Sequence, residues 1–323
     1  MSKFTNLIEV SKFFEDKQVC LDYLTQMRWG GGVHCAFCGH DRVYELKGKN
    51  KRFKCAKCRK QFSAIRGTIF ENTNIPLQKW FMAVYIISSH KKGISSVQLA
   101  SDIGVTQKTA WFMAQRIRFA LKVKSFENKI EGVFQADETY VGGKNKNRHS
   151  DKKIKNSQGR SVKDKTPVLG LIQTGGKLHA TVVKDTKSST IQPIINDMIS
   201  AGSIIITDEW LGYKRMPKHF HHIIIEHKNE EYARGAFHTN TIEGFWSLLK
   251  RGIIGIYHQV STKHLHRYCD EFAFRYNMRK IPNEQRFNES LKNALCRLTY
   301  KELTGKSSNI EAQNETEKEN TPF

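Results

Sequence analysis

Three acidic residues from separate parts of the chain have the side chains that divalent-metal chemistry requires. Asp137 lies in the strand-like stretch Gly132–Val141, Asp208 follows the apolar run Ser203–Thr207, and Glu243 lies in a helical stretch. Converging carboxylates repel one another unless positive charge lies between them, and Mg²⁺ takes oxygen ligands while keeping water sites open for substrate phosphates. Two such ions, about 4 Å apart, can activate an attacking oxygen and stabilise the leaving oxygen of a phosphodiester. We therefore expect these three acids to be catalytic ligands of Mg²⁺ or Mn²⁺.

Each acid taken alone has a competing interpretation. Asp137 is followed by Glu138, and Asp208 by Glu209. Successive residues of a strand point to opposite faces, so only one member of the first pair can face the metals. An acid at the end of a strand is usually a turn former. The prediction therefore depends on the combination of acids and on the rest of the chain.

The stretch His238–Arg251 predicts the helix that carries Glu243. Thr239 or Asn240 can cap this helix, because a short side-chain oxygen accepts from the free amides of the first turn. Lys250 lies two turns after Glu243 and shares its face. The residues that form an apolar stripe at helical spacing are Ile242, Phe245, Trp246 and Leu249.

The remaining pattern from residue 130 predicts an α/β fold with a mixed sheet. Antiparallel hairpins followed by a helical crossover place the first strand beside the strand after the helix, so Asp137 and Asp208 can present carboxylates to one point. We expect strands at 132–141, 168–173, 178–184, 203–207 and 222–226, and helices at 189–200, 262–278 and 283–300.

Two Cys-x-x-Cys pairs upstream indicate a zinc ribbon. Cys35 and Cys38 are separated from Cys55 and Cys58 by sixteen residues. Two such knuckles supply the four thiolates that structural zinc prefers, and a redox pair is the alternative. The module is basic. Its cations can contact DNA phosphates, or they can simply form a solvated face. Its cations are Lys47, Lys49, Lys51, Arg52, Lys54, Lys57, Arg59 and Lys60.

Residues 76–123 predict helices throughout, including a helix-turn-helix. A short helix ends at Gly104, and Thr106 caps the next. In such a motif the second helix enters the major groove by its N-terminal end; an ordinary helical hairpin is the alternative. The side chains expected to face bases or phosphates are Gln107, Lys108 and Thr109, and those expected to face the DNA backbone are Arg116 and Arg118.

The charge of the chain favours a polyanionic partner. Lys and Arg number 53 against 31 acids, for a formal charge of +22, which suits double-stranded DNA. A membrane surface is the rival partner, but no apolar run is long enough to span a bilayer and the N-terminus lacks the apolar stretch of a signal peptide. We therefore expect a cytoplasmic protein whose seven cysteines bind metal or are buried.

Four motifs in order give a resemblance to a known family. They are DETYVGGK at 137–144, ITDEWLGY at 206–213, HTNTIEGFWSLLKRGIIGIYHQVS at 238–261 and KHLHRYCDEFAFRYNMR at 263–279. With the zinc ribbon and the helix-turn-helix ahead of them, these motifs resemble the ISXO-like transposases of bacterial insertion sequences over roughly residues 20–280.

The resemblance implies a ribonuclease-H-like domain with a DDE acidic triad, which binds the terminal inverted repeats of an insertion sequence and transfers them to target DNA. It maps Asp137 and Asp208 onto the two aspartates. Either Asn240 or Glu243 fits the third position, and we favour Glu243 because a carboxylate binds Mg²⁺ better than an amide oxygen. Lys250 would then contact the DNA backbone.

The domains expected from these patterns are an N-terminal helical segment at 1–30, a zinc ribbon at 31–70, a helix-turn-helix at 76–123, a catalytic domain at 130–300 and a disordered tail at 305–323. Because transposition joins two ends, we expect a homo-oligomer. A catalytically inactive DNA-binding regulator and a nuclease that cuts without joining are the alternative functions.

Overall fold

The structure is a computed structural model that describes residues 3–48, 50–122, 128–143, 149–155, 161, 163–226, 233–234 and 237–305. The tail predicted at 305–323 lies, beyond Gly305, outside the described residues. Within the described part of the chain, no helix is both long enough and apolar enough to cross a membrane.

The N-terminal part consists of two helices and a small antiparallel sheet. Asn6 and Asp16 cap the two helices by accepting from first-turn amides. The sheet encloses a small apolar centre in which Phe53 and Phe62 pack beside Trp29. The elements are α1 (Leu7–Phe13), α2 (Lys17–Trp29), β1 (Val43–Leu46), β2 (Arg52–Cys55) and β3 (Gln61–Phe62), in the sheet order β1-β2-β3.

Two helices joined by a short turn lie where the sequence predicts a helix-turn-helix. Gly104 ends the first helix of the pair with a left-handed φ of 62°, which glycine adopts without steric cost. Thr106 caps the second helix by accepting from the Thr109 amide. The helices of this region are α3 (Leu77–Ser89), α4 (Ser96–Ile103) and α5 (Gln107–Ala120).

The central sheet has five strands and mixed directions, as predicted. Its order is β6-β5-β4-β7-β8; β4, β5 and β6 pair antiparallel, whereas β4, β7 and β8 pair parallel. The crossover helix joins β6 to β7, so the first strand of the sheet lies beside the strand that ends in Asp208. The elements are β4 (Val133–Val141), β5 (Thr166–Gln173), β6 (Leu178–Val182), α6 (Ser188–Met198), β7 (Ile204–Asp208) and β8 (His221–Ile225).

Helices cover both faces of this sheet. One face packs against α6, through a cluster that includes Phe134 and Ile195. The other packs against later helices, through a cluster that includes Val168 and Trp246. The elements after β8 are β9 (Ala233–Arg234), β10 (Phe237–His238), α7 (Asn240–Gly252), a π-helical segment (Ile253–Tyr257), α8 (Thr262–Asn277), α9 (Asn283–Lys292) and α10 (Tyr300–Thr304).

The single helix predicted at 283–300 is wrong. Helix α9 ends at Lys292, and helix resumes only at Tyr300. The connecting segment is held by other partners: the Ala294 carbonyl accepts from the Ile69 amide, and the Leu298 carbonyl accepts from Arg116. These tertiary bonds replace the helical ones. Helix α9 itself packs on α3, so both ends of the described chain contribute to one apolar core.

Candidate active site

The two aspartates lie side by side because β4 and β7 are parallel neighbours. Gln135 pairs with Ile206, so Asp137 and Asp208 are each two residues further along their strands. Asp137 shares its face of β4 with Gln135, and this is the face covered by α7. The predicted side-by-side placement of the two strands is therefore present.

The carboxyl of Asp137 is held by two hydrogen bonds. Its Oδ1 accepts from the Glu138 amide at 2.8 Å, and its Oδ2 accepts from the Trp246 indole Nε1 at 2.9 Å. Burial and the nearby charges of Asp208 and Glu243 together raise the pKa of Asp137 to about 7, while the two hydrogen bonds oppose the rise. Asp137 therefore carries only part of its charge at neutral pH without a cation.

Glu243 reaches the same region from α7. This helix buries the apolar stripe that its sequence predicted, including Ile242 and Leu249, and leaves Glu243 exposed. The Thr239 hydroxyl donates to Glu243 Oε1 at 2.8 Å. Contrary to the sequence-based expectation, neither Thr239 nor Asn240 caps α7: Thr239 occupies the N-cap position, but its side chain makes no capping bond.

One cleft of about 340 Å³ brings most of the predicted residues together. Asp137, Asp208, Glu243 and Lys250 all line it, whereas Asn240 does not. Within the described ranges, the only group of three or more candidate ligands close enough to hold a single ion is a set of cysteines, so the three carboxylates are not gathered around one point. The expectation that these carboxylates meet at one point is therefore not met in the described ranges.

Lys250 is the cation at the edge of this cleft. Partial burial lowers the pKa of its ammonium group. The charge of Lys165 lowers this pKa further, and the charge of Asp137 raises it. The Lys250 side chain lines the same cleft as the acids. The lining of the cleft therefore combines four carboxylates, those of Asp137, Glu138, Asp208 and Glu243, with one amine.

Glu138 belongs mainly to the opposite side of β4. It is buried, and its Oε2 accepts from the Tyr213 hydroxyl at 3.0 Å. Complete burial and the charge of Glu138 raise the pKa of Tyr213 well above its ordinary value. Of the adjacent acids, Asp137 is thus the one that contacts α7.

The four cysteines form the predicted metal-binding cluster. The Cys35 and Cys58 sulfurs lie 3.6 Å apart, those of Cys38 and Cys55 lie 3.7 Å apart, and all four lie within 4.8 Å of one another. A tetrahedral ion with Zn–S bonds of about 2.3 Å sets its sulfurs roughly 3.8 Å apart. The cluster therefore fits a structural zinc ion.

The predicted DNA-reading side chains are accessible at the start of α5. Gln107 and Lys108 are exposed and Thr109 is half-buried. The Gln107 amide donates to the Ser96 hydroxyl of α4 at 2.9 Å, and Lys108 Nζ lies 5.7 Å from the centre of the Tyr300 ring. This geometry leaves the N-terminal turn of α5 open to a partner.

The prediction that Arg116 and Arg118 face DNA is wrong. Arg116 is 3% exposed and donates to the carbonyls of Ile69, Glu71 and Leu298 at 2.8–2.9 Å. Arg118 forms a buried ion pair with Glu271 of α8. Both arginines lie on the packed face of α5, where they satisfy groups that would otherwise be buried without partners.

Trp246 lines the cleft and Gln135 bonds to the start of α7, and the sequence interpretation gives neither residue a role in the site. Gln135 is 2% exposed and contacts the start of α7, and Trp246 was assigned only to the apolar stripe. The sequence feature that could have identified Gln135 is its polar side chain, two positions before Asp137 and on the same face of an otherwise apolar strand.

Comparison with known proteins follows the same division of the chain. A family model of the ISXO2-like transposase domain matches residues 129–277, and one of the transposase zinc-ribbon domain matches residues 15–61. An uncharacterized protein in transposable element ISH50 of Halobacterium salinarum is 28% identical over 295 residues, covering 88% of this chain and 99% of that protein. An uncharacterized transposase-like protein of Haemophilus influenzae is 28% identical over 109 residues, covering 33% of this chain and 87% of that protein. No solved structure matches the chain.

The two family matches together cover more than half of the chain. One contains the four-cysteine cluster, and the other contains the five-stranded sheet and α7, with the acids that line the cleft. The chain therefore belongs to the ISXO2-like transposases, with a zinc ribbon ahead of its DDE domain.

Proposed function

We propose that this transposase binds the terminal inverted repeats of an insertion sequence and catalyses phosphodiester cleavage and strand transfer that depend on Mg²⁺ or Mn²⁺. The observation that carries the proposal is the shared cleft: Asp137, Asp208 and Glu243 come from two strands and a helix, yet all three line it together with Lys250. A cleft that combines acids and an amine at a sheet edge suits a phosphate-bearing substrate.

Asp137, Asp208 and Glu243 would hold the divalent ions. The fit rests on the charge of the site: besides burial, the charges of Asp208 and Glu243 raise the pKa of Asp137, and a cation would offset their repulsion. When bound, a pair of such ions activates the attacking oxygen and stabilises the leaving oxygen. Glu243 is the better third ligand than Asn240, since Glu243 lines the cleft and Asn240 does not.

Lys250 would contact the DNA backbone next to the reacting phosphate. It lines the cleft two turns after Glu243 on the same helix, so one rigid element carries both a ligand and a phosphate-binding group. Its lowered pKa reflects partial burial, and an entering phosphate would stabilise its charged form.

Sequence-specific contacts to the repeats would come from the helix-turn-helix. Gln107, Lys108 and Thr109 lie at the N-terminal turn of α5, the part of a recognition helix that contacts base edges. The zinc ribbon would add phosphate contacts through its exposed cations, which neutralise DNA charge without reading sequence.

We also propose the domain division expected from the sequence, with a homo-oligomer as the active form. The ribbon at 31–70 and the helix-turn-helix at 76–123 would bind an end, and the domain at 130–300 would react with it. A reaction that joins two ends of one element requires both ends in one assembly, which a dimer or larger oligomer supplies.

The test is a cleavage and joining assay on a labelled duplex that ends in the terminal repeat of the element. We expect wild-type protein to nick the end and join it to a target duplex in Mg²⁺, and Asp137→Ala to bind the end without reacting. Nicking without joining would instead indicate a nuclease, and metal-independent binding without either reaction would indicate a regulator.

A further inference from the structure

Helix α7 begins without a cap of its own, and the neighbouring strand supplies one. The Ile242 amide, in the first turn, donates to the side-chain Oε1 of Gln135 at 3.2 Å. Gln135 Nε2 donates in turn to the Thr241 hydroxyl at 3.3 Å. Since Thr239 uses its hydroxyl on Glu243, the buried amide of Gln135 takes over the capping role and ties the first turn of α7 to β4.

A second hydrogen bond joins the same two elements one helical turn further on. The Trp246 indole donates to Asp137, and Trp246 is only 4% exposed. Gln135 and Asp137 are two residues apart on one strand, while Ile242 and Trp246 are four residues apart on one helix. Helix and strand are therefore linked at two points.

The spacing of the two links matches only one register. Four helical residues rise about 6 Å, and two strand residues advance about 6.7 Å. A slip of α7 by one turn would break both links and move Glu243 by about 5.4 Å along the helix axis. That displacement is more than twice a Mg²⁺–oxygen bond of about 2.1 Å.

The sheet is shaped to admit the indole ring. Gly170 of β5 lies directly opposite Asp137 in the register. A Cβ added to Gly170 would lie 2.5 Å from Trp246 Cζ2 and 3.0 Å from Ile242 Cδ1. The absence of a side chain at this position is therefore what lets Trp246 lie against the sheet and reach the carboxyl of Asp137.

The bond from Trp246 also orients the carboxyl of Asp137. An ionised carboxylate offers roughly four lone-pair sites on its two oxygens. The Glu138 amide uses one site on Oδ1 and Trp246 uses one on Oδ2. One site on each oxygen remains for other ligands, and Asp137 lines the cleft.

We propose that Gln135 and Trp246 are positioning residues of the metal site. They fix α7 on β4 in the register that lets Asp137 and Glu243 serve the same pair of ions, and Trp246 holds the Asp137 carboxyl in a metal-binding orientation. The inference rests on the proposed function, in which these acids are the ligands.

The test measures Mn²⁺ binding by isothermal titration calorimetry, on full-length zinc-loaded protein without DNA. Trp246→Phe removes the indole N–H and keeps an aromatic ring. Partners that orient metal ligands typically contribute 10–100-fold in affinity, so we expect Trp246→Phe to bind Mn²⁺ about 10–100-fold more weakly. Gln135→Met, which keeps the length of the side chain and removes its hydrogen bonds, should weaken binding in the same direction.

Trp210→Phe is the matched control. The Trp210 indole donates to the Thr186 carbonyl at 3.1 Å, and its backbone amide, which phenylalanine retains, donates to Asp208 Oδ1 at 3.0 Å. This substitution removes the same kind of hydrogen bond close to the site without touching a carboxyl. We expect its Mn²⁺ affinity to stay within about twofold of wild type.

A further readout separates positioning from general loss of structure. Since weaker affinity is overcome by more metal, end cleavage by Trp246→Phe should approach the wild-type rate at saturating Mn²⁺. Wild-type Mn²⁺ affinity in both Trp246→Phe and Gln135→Met, with binding lost in Asp137→Ala, would overturn this inference alone. Undiminished binding in Asp137→Ala would instead refute the proposed metal site.

Discussion

Binding of a divalent ion to the cleft should release protons near neutral pH. The pKa of Asp137 is raised from its ordinary value of 3.8 to about 7 by burial and by Asp208 and Glu243. Only the charged carboxyl binds the ion, so about half a proton should leave per site at pH 7 and about 0.9 at pH 6. Apparent affinity should accordingly fall about tenfold from pH 8 to pH 6, a difference of about 1.4 kcal/mol.

Calorimetric titration with Mg²⁺ in two buffers of different ionisation enthalpy measures this proton release directly. Asp137→Asn is the control, because its amide does not titrate; the variant should bind more weakly and with little pH dependence between pH 6 and 8. Proton release near zero in wild type at pH 6, or an equal pH dependence in Asp137→Asn, would refute the reasoning.

The same raised pKa has a consequence for the metal-free protein. A carboxyl whose folded-state pKa lies above its unfolded value contributes stability that is present below pH 3.8 and is lost as the pH rises through about 7. A shift of this size corresponds to about 4 kcal/mol. As the pH rises from 5 to 8, the unfolding free energy of Asp137→Asn should therefore increase relative to that of wild type, measured by chemical denaturation. Saturating Mg²⁺ should remove most of this difference in stability between the two proteins.

Three further outcomes are expected. Cys55→Ser should lose the zinc found by metal analysis and, with it, tight binding of the end duplex; retention of both would count against the ribbon's role. Arg116→Met should lower the unfolding free energy by about 3 kcal/mol, since it leaves three buried carbonyls without a donor. Lys108→Ala should instead weaken binding of the end duplex, measured by fluorescence anisotropy, with little effect on stability. Weaker end binding by Arg116→Met without a loss of stability would restore Arg116 as a DNA contact. Glu271→Gln should cost about 3–5 kcal/mol in denaturant unfolding, because it leaves the buried Arg118 without its counter-charge, and a change below about 1 kcal/mol would show that the pair is dispensable.

Local patterns in the sequence were sufficient for much of the fold. The spacing of Cys35 and Cys38 and of their two partners predicted the cluster, because knuckle geometry is local. Gly104 and Thr106 located the turn of the helix-turn-helix, since a left-handed residue and a cap are also local requirements. The position of Asp208 at the end of an apolar strand, together with the crossover, placed it beside Asp137.

The rest depended on contacts between distant segments. Arg116 looked like a surface cation on an amphipathic helix, and only the folded chain brings the carbonyls of Ile69 and Leu298 to it. The break after α9 has the same origin, because tertiary bonds there replace helical ones. Gln135 caps a helix more than 100 residues away. No periodicity or spacing rule encodes such a partner, so these features required the structure.

The most direct test of the central claim is the anomalous diffraction of Mn²⁺ in a crystal of the transposase soaked in MnCl₂. We predict two peaks in the cleft, about 4 Å apart, bounded by Asp137, Asp208 and Glu243. No peaks in this cleft, or peaks that none of these three carboxylates contacts, would contradict the account.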